Sequence, residues 1–237
     1  MNLNKIVDIT TINDVNDIEI REEQIQDNVV TAKHYYLIIK RLCDLFLSFI
    51  GLVFLSPIFL IVAILIKIDS KGPAFFIQER IGKNGELFKL YKFRSMILNA
   101  DEILFKILKE DEVLREEYRI NKKLRDDPRM TRVGLFLRKT SLDELPQLLN
   151  VFLGNMSFIG PRPYLPREIN DMGEYYFYII KCKPGLSGLW QVSGRNNLTF
   201  ENRLKIDEEY YYARGLGKDA KIFFDTAKFV VRKEGAM

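Results

Sequence analysis

The hydrophobic pattern of this chain is continuous in one place and periodic elsewhere. From Leu42 to Ile66 it reads LCDLFLSFIGLVFLSPIFLIVAILI, 25 residues in which Asp44 is the only charge. As a straight helix that run is about 37 Å long, enough to cross a ~30 Å hydrocarbon core. A single transmembrane anchor is the simplest reading, and two features oppose it. Ser56-Pro57 interrupts the run, and proline removes a backbone donor and kinks a helix. The arms on either side would be about 22 Å and 15 Å, so neither crosses alone. The flanks also match in sign: Lys40 and Arg41 precede the run, while Lys67 and Lys71 follow it. The positive-inside rule then assigns no orientation, as expected when both ends stay in the cytosol. The pattern predicts a re-entrant helix–break–helix over residues 34–71 that dips into one leaflet. Ser56 can supply a partner for the backbone groups freed at Pro57.

After Gly72-Pro73 the period changes. In AFFIQERIGKNGELFKLYKFRSM two strand-like runs flank Lys83-Asn84-Gly85, and Asn-Gly is a strong hairpin signal. Residues Asn99 to Arg125 carry Ile103, Leu104, Ile107 and Leu108 at helical spacing, and Asp127-Pro128 ends that section. A further helix is expected from Ser141 to Leu153, with Gly154 as its stop. Gly160-Pro161-Arg162-Pro163 makes a rigid connection. Lys183-Pro184-Gly185 and Ser193-Gly194-Arg195-Asn196 bracket a loop that holds Trp190, and two more helices follow near Phe200–Ala213 and Lys218–Arg232. The expected fold is an α-rich α+β one. Its re-entrant membrane helix leads into a small globular cytosolic domain, residues 72–237, with a β-hairpin and amphipathic helices.

Composition narrows the class. Over 237 residues, 47% hydrophobic and 29% charged side chains exclude both a wholly disordered chain and a polytopic membrane protein. The net charge of +4 is uneven: seven acids and three bases in residues 1–33 leave +8 on the remainder. That acidic segment has neither a basic start nor an apolar stretch, so it is read as a disordered tail and not as a signal peptide. A short helix around Val15 to Ile25 is compatible with the segment, though no pattern supports it. Two cysteines, Cys43 and Cys182, make no disulfide framework and point to a reducing compartment. With His34 as the lone histidine, zinc is disfavoured, and any metal would be a hard cation held by carboxylates, Mg²⁺ above all.

Candidate chemistry centres on Thr140-Ser141-Leu142-Asp143-Glu144-Leu145-Pro146. Ser141 to Glu144 has the S-x-x-E form of a capping box, with acids where a helix dipole favours them. Adjacent carboxylates also offer a nucleophile and a Mg²⁺ ligand. The two readings are compatible, because a dipole-stabilised carboxylate stays ionised at neutral pH. Basic residues are dense around it: Lys92, Arg94, Arg138, Arg162 and Arg195. Taken singly, each could be a solvated or lipid-facing base. Arg162, between two prolines, suits bidentate phosphate binding because its backbone cannot drift. There is no nucleic-acid-binding motif, no P-loop and no G-x-G-x-x-G.

Five segments in order carry a resemblance: KRLCD, the apolar run with Ser56-Pro57, QERIGKNGELFKLYKFRSM, DDPRMTRVGLFLRKTSLDELPQLLNVFLGNMSFIGPRP, and KPGLSGLWQVSGRN. From about Lys40 to Arg232 the chain resembles the bacterial sugar transferases, the monotopic phosphoglycosyl transferases that prime capsule, exopolysaccharide and glycan assembly. The resemblance implies a two-step reaction at the cytoplasmic face of the inner membrane. A UDP-sugar would give its sugar-1-phosphate to the enzyme and release UMP, and undecaprenyl phosphate would then take the phosphosugar. By matching positions, Asp143 is the nucleophile and Glu144 its partner in holding Mg²⁺. Arg162 and Arg195 match phosphate-binding positions, Lys92 and Arg138 other basic positions of the active site, and Ser56-Pro57 the break of the membrane helix.

The departures are few. Lys183-Pro184-Gly185 stands where Arg-Pro-Gly is common, which keeps the charge but loses the bidentate fork. A multi-span N-terminal module found in larger members is replaced by the acidic tail. The helical insert from Leu98 to Asp126 is longer than in the smallest members, and with GLWQVSGR it hints at galactose- or glucose-1-phosphate as the group moved. Two other classes remain in view: a catalytically silent membrane scaffold for a polysaccharide assembly complex, and a membrane-anchored binding module. Association of copies through the hairpin or the C-terminal helices is compatible with the pattern, so a homo-oligomer stays open.

Overall fold

The computed structural model describes residues 34–194 and 198–232. The acidic tail, its Val15–Ile25 helix and Arg195 therefore lie outside the described residues.

The apolar run forms most of one helix, α1, His34–Asp69, with Pro57 inside it. Two arms parted by non-helical residues were expected, and the helix instead runs through the proline. The reason is local. Proline at position 57 leaves the Val53 carbonyl without its usual donor, and the Ser56 hydroxyl donates to that carbonyl at 2.8 Å. Most of α1 is exposed, including Phe46, Phe54 and Leu60. Its buried positions are Tyr36, Asp44 and Ser48 in the first half, then Val62 and Ile66 in the second.

Asp44, the lone charge of the run, is buried because it completes a strand. Its Oδ1 accepts from the Phe158 N–H at 2.9 Å and from the Ser157 hydroxyl at 3.1 Å. Asp44→Ala would strand both donors. At about 1–3 kcal/mol for each unsatisfied buried group, it is expected to lower the thermal unfolding midpoint in detergent by at least about 5 °C.

The hairpin is present: β1, Phe75–Ile81, pairs antiparallel with β2, Leu87–Phe93. Its turn holds Asn84 at φ 59° and Gly85 at φ 80°, the left-handed region that this dipeptide tolerates. The expected single helical stretch over 99–125 divides into α2, Ala100–Glu110, and α3, Glu112–Asn121. Asp111 divides them, since its carboxylate accepts from the Leu114 N–H at 3.0 Å and starts a new helix. A helix not foreseen, α4, Arg132–Lys139, is capped by the Thr131 hydroxyl, which accepts from the Gly134 N–H at 2.9 Å.

The expected helix from Ser141 is a second correction. Leu142–Glu144 is a single 3₁₀ turn, and the α-helix α5 occupies only Gln147–Leu153. Pro146 has no N–H to continue the helix through its position, so the chain restarts after it. Ser141 sits at φ 57° with no side-chain cap, and the Glu144 side chain turns away to Lys92. The capping box is therefore not formed. Gly154, at φ 91°, does end the helix.

Behind α5, β3 (Ser157–Ile159) pairs parallel with β4 (Gly185–Ser187), an element the sequence pattern left as loop. Three short helices, α6 (Ile169–Met172), α7 (Tyr175–Ile179) and α8 (Leu189–Ser193), lie on either side of β4 in the chain. Trp190 thus lies on a helix. The last two helices, α9 (Phe200–Ala213) and α10 (Leu216–Arg232), fall where expected. One apolar cluster joins α1 to the body through Val62, Ile66, Phe93 and Leu137. Others gather Tyr164, Phe200 and Leu204, and Ile159, Tyr210 and Ile222.

Candidate active site

β2, the 3₁₀ turn after α4, and the loop after β3 converge on one cavity of about 1670 Å³. Lys92, Arg138, Asp143, Glu144 and Arg162 all line it, although 70 residues separate the first from the last. The Lys92 ammonium donates to Glu144 Oε1 at 2.7 Å, tying β2 to the acidic turn. The Arg138 guanidinium reaches the Ser95 hydroxyl at 3.3 Å through Nε, which holds it at the same wall.

The two carboxylates differ. Asp143 is buried, and burial raises its carboxyl to about 6; Lys92 and Arg138 pull it down while Glu144 pushes it up. It is still mostly ionised at pH 7, but as a more basic carboxylate than a helix dipole would leave. Glu144 is shifted the other way. Burial opposes its charge, and Lys92, Arg162 and Arg138 outweigh burial to hold it below the usual carboxylate range. A pair pushed apart like this divides the labour of a site: one more basic oxygen donor and one fixed anion.

Arg162 is placed by what surrounds the Gly160–Pro163 loop. Its backbone N–H donates to Asp207 Oδ2 at 3.3 Å, and the Tyr164 hydroxyl donates to the same oxygen at 2.8 Å. Arg80 donates to the Pro163 carbonyl at 3.0 Å. The Gly160 N–H reaches the Ser187 carbonyl at 2.9 Å, and the Gly185 N–H reaches the Pro161 carbonyl at 2.8 Å. The guanidinium itself lies 6.0 Å from the Trp190 ring centre, with Arg203 at 5.2 Å from the same ring. Asp207 is fully buried, which raises its carboxyl to about 7.

Arg94 lines the cavity but is committed elsewhere. Its NH1 donates to the Lys71 carbonyl at 2.6 Å, and its NH2 donates to the Ser70 carbonyl at 2.7 Å and the Ser70 hydroxyl at 2.8 Å. A cation there satisfies carbonyls where the chain leaves α1. Ser56 and Pro57 are not among the residues that line the cavity.

Arg80, Tyr164, Asp207 and Arg203 were not singled out in the sequence, and Trp190 was noted without a role. No local signal marks them, since each acts through a residue far along the chain. Among the described residues no three His, Cys, Asp or Glu side chains gather as a metal cluster. The adjacent pair Asp143 and Glu144 nonetheless fits Mg²⁺, which is commonly held by one or two carboxylates with substrate phosphates completing the shell.

Known proteins resemble this chain over most of its length. The bacterial sugar transferase family profile matches residues 35–233. An undecaprenyl-phosphate galactose phosphotransferase of Salmonella typhimurium is 43% identical over 213 residues, covering 90% of this chain and 44% of the relative. The chain thus spans about half the length of that relative. The exopolysaccharide production protein ExoY of Sinorhizobium fredii is 42% identical, over 83% of this chain and 87% of its own. A UDP-glucose:undecaprenyl-phosphate glucose-1-phosphate transferase of Escherichia coli is 36% identical over 80% of this chain and 39% of its own. On a match that runs from the start of α1 to the end of α10, this chain belongs to the bacterial sugar transferase family.

Proposed function

We propose that the chain transfers a sugar-1-phosphate from a UDP-sugar to undecaprenyl phosphate and releases UMP, as the priming step of surface-polysaccharide assembly. The observation that carries this reading is the buried Asp143 carboxylate, set beside the Lys92–Glu144 pair in a cavity lined by Arg138 and Arg162. An Asp143 oxygen attacks the phosphorus that bears the sugar, forming an acyl-phosphate bond while the bond to UMP breaks. A phosphate oxygen of undecaprenyl phosphate then attacks the same phosphorus and frees Asp143. Two displacements divide one exchange between bulky anions. Arg138, Arg162 and Lys92 offset the charge on the transferring and departing phosphates. Asp143 and Glu144 would hold Mg²⁺, which supplies Lewis-acid neutralisation of the phosphate oxygens. The names of the relatives favour galactose-1-phosphate or glucose-1-phosphate as the group moved. UMP release from a panel of UDP-sugars, with nanodisc-held protein, Mg²⁺ and undecaprenyl phosphate, tests the reading. Release confined to UDP-galactose or UDP-glucose supports it, and no release with any donor would favour a silent scaffold.

The same reading places the catalytic domain on the cytoplasmic face and α1 in one leaflet. Two buried positions of α1, Ser48 and Val62, bound its longest stretch without a buried residue, 13 residues or about 20 Å. A spanning helix needs ~30 Å clear of polar protein. Because the folded body packs on both halves of α1, a spanning orientation would draw Arg41 and Lys40 towards the hydrocarbon. In a Cys43→Ser, Cys182→Ser background, single cysteines at Tyr35 and at Lys71 should both resist an impermeant maleimide in intact spheroplasts. Both should label after permeabilisation. Labelling of either in intact cells would sink the one-leaflet topology.

A further inference from the structure

The cavity that holds Asp143 changes character along β1. Alternation puts Phe76, Gln78 and Arg80 on one face of that strand, and all of them line the cavity. Arg80 donates to the Pro163 carbonyl beside Arg162, so the far end of the strand is cationic. Phe76, about 13 Å back along the strand, pairs across the hairpin with Lys92, the residue bonded to Glu144. Phe76 is 43% exposed, and Leu98 and Leu135, also exposed, line the same cavity.

This apolar end lies where the membrane helix stops. A Cβ on Gly72 would lie 3.0 Å from Leu98 Cδ2, so the Leu98 side chain rests against the segment that leaves α1. Leu135 belongs to α4, whose Val133 N–H donates to the Asp69 carboxylate at 3.0 Å. On the other face of β1, Phe75 stacks on Phe93 at 5.2 Å, and Phe93 meets Phe59 of α1 edge-on at 5.5 Å. A run of aromatic contacts thus leads from α1 to the strand that carries Phe76. Open apolar side chains in a cavity otherwise rich in charge suit a ligand that is itself part apolar. The UDP-sugar comes from water, whereas undecaprenyl phosphate carries a polyisoprenoid chain out of the bilayer. Its phosphate must reach Asp143 while that chain keeps apolar cover. Phe223 of α10 also lines the cavity, but Phe158 already meets it edge-on at 6.3 Å.

We propose that Phe76, Leu98 and Leu135 form the port for the acceptor and hold the isoprene units next to its phosphate. This rests on the transferase reading above, so binding is measured apart from turnover. Farnesyl phosphate is titrated onto the full chain in nanodiscs with Mg²⁺, against empty nanodiscs, with UMP and inorganic phosphate titrated beside it. Loss of one aromatic contact predicts that Phe76→Ser weakens farnesyl phosphate about tenfold or more. Phe76→Leu should stay within about threefold of the parent, and UMP and inorganic phosphate should bind Phe76→Ser within about twofold. In turnover, the KM for undecaprenyl phosphate should rise in Phe76→Ser while that for the UDP-sugar stays. Unchanged farnesyl phosphate affinity in a variant that melts like the parent would overturn the proposal, the result expected if bilayer lipid alone covers Phe76. Weakened UMP binding would put the nucleobase on this ring, and a lower sedimenting mass would make the patch a contact between copies; either would overturn it. So would an effect found in Phe223→Ser instead. Farnesyl phosphate held through Phe76, in a parent that releases no UMP from any donor, would support the port and defeat the transferase reading.

Discussion

Asp143→Asn should lower UMP release by roughly ten-thousandfold, the scale on which removing a covalent nucleophile acts. The substitution suits the question because asparagine has the size of the aspartate it replaces. Asp143 is 6% exposed, so a smaller residue would leave a cavity and mix folding with chemistry. The variant should therefore melt within a few degrees of the parent and still bind UMP. Mass spectrometry of the parent, quenched with donor but no acceptor, should find a phosphosugar adduct on the peptide that holds Asp143. Glu144→Gln offers the contrast. It weakens the Lys92 contact at 2.7 Å and one Mg²⁺ ligand but leaves the attacking oxygen, so its activity should fall less and its adduct should still form. UMP release that persists in Asp143→Asn would assign the nucleophile elsewhere.

The largest structural effect is expected at a residue that touches no substrate. A Cβ on Gly185 would overlap the Gly160 nitrogen and the Ser187 carbonyl oxygen and lie 2.7 Å from the Gly160 Cα. All three are backbone atoms, which cannot rotate aside. Relief requires β3 and β4 to part, and with them the two hydrogen bonds that fasten the loop carrying Arg162. Gly185→Ala should therefore cost about 3 kcal/mol or more and abolish turnover with every donor. Gly217→Ala is the control. It lies in α10 with nothing within 4 Å of the added carbon, and alanine in a helix should be neutral or slightly stabilising. Circular dichroism melting in detergent, run beside UMP release, would read both. A Gly185→Ala chain with parental melting and activity would show that the loop does not depend on this contact.

Where one stretch of chain carries its own cause, the sequence was enough. Asn84-Gly85 needs only its own backbone freedom to make the hairpin, and Gly154 its own φ to end α5. The apolar run needs only its length to make a long helix, and the last two helices follow from their spacing. The acidic pair was legible because Asp143 and Glu144 are adjacent. The local reading failed where a distant group competed. Glu144, cast as half of a capping box, is taken by Lys92, 52 residues away, and the proline at 146 cuts the helix that the box would have started. Arg94, noted only as one of the bases near the acidic pair, is held by the carbonyls of Ser70 and Lys71.

The family resemblance could bring Lys92, Arg138 and Arg162 into one site, but not say what holds them there. Asp207 sits in an unremarkable charged helix, yet one of its oxygens fastens both Arg162 and Tyr164. Asp44 was a stray charge in an apolar run until β3 was found to need its carboxylate. The sequence by itself determined the hairpin, the long apolar helix, the last two helices and the carboxylates that could react, because backbone preference and side-chain periodicity act within a few residues. Only the tertiary structure decided which charges face one another, which are spent on helix ends and which line the cavity. Burial and pairing depend on groups that chain order leaves tens of residues apart, and these alone separate a basic Asp143 from a fixed anionic Glu144.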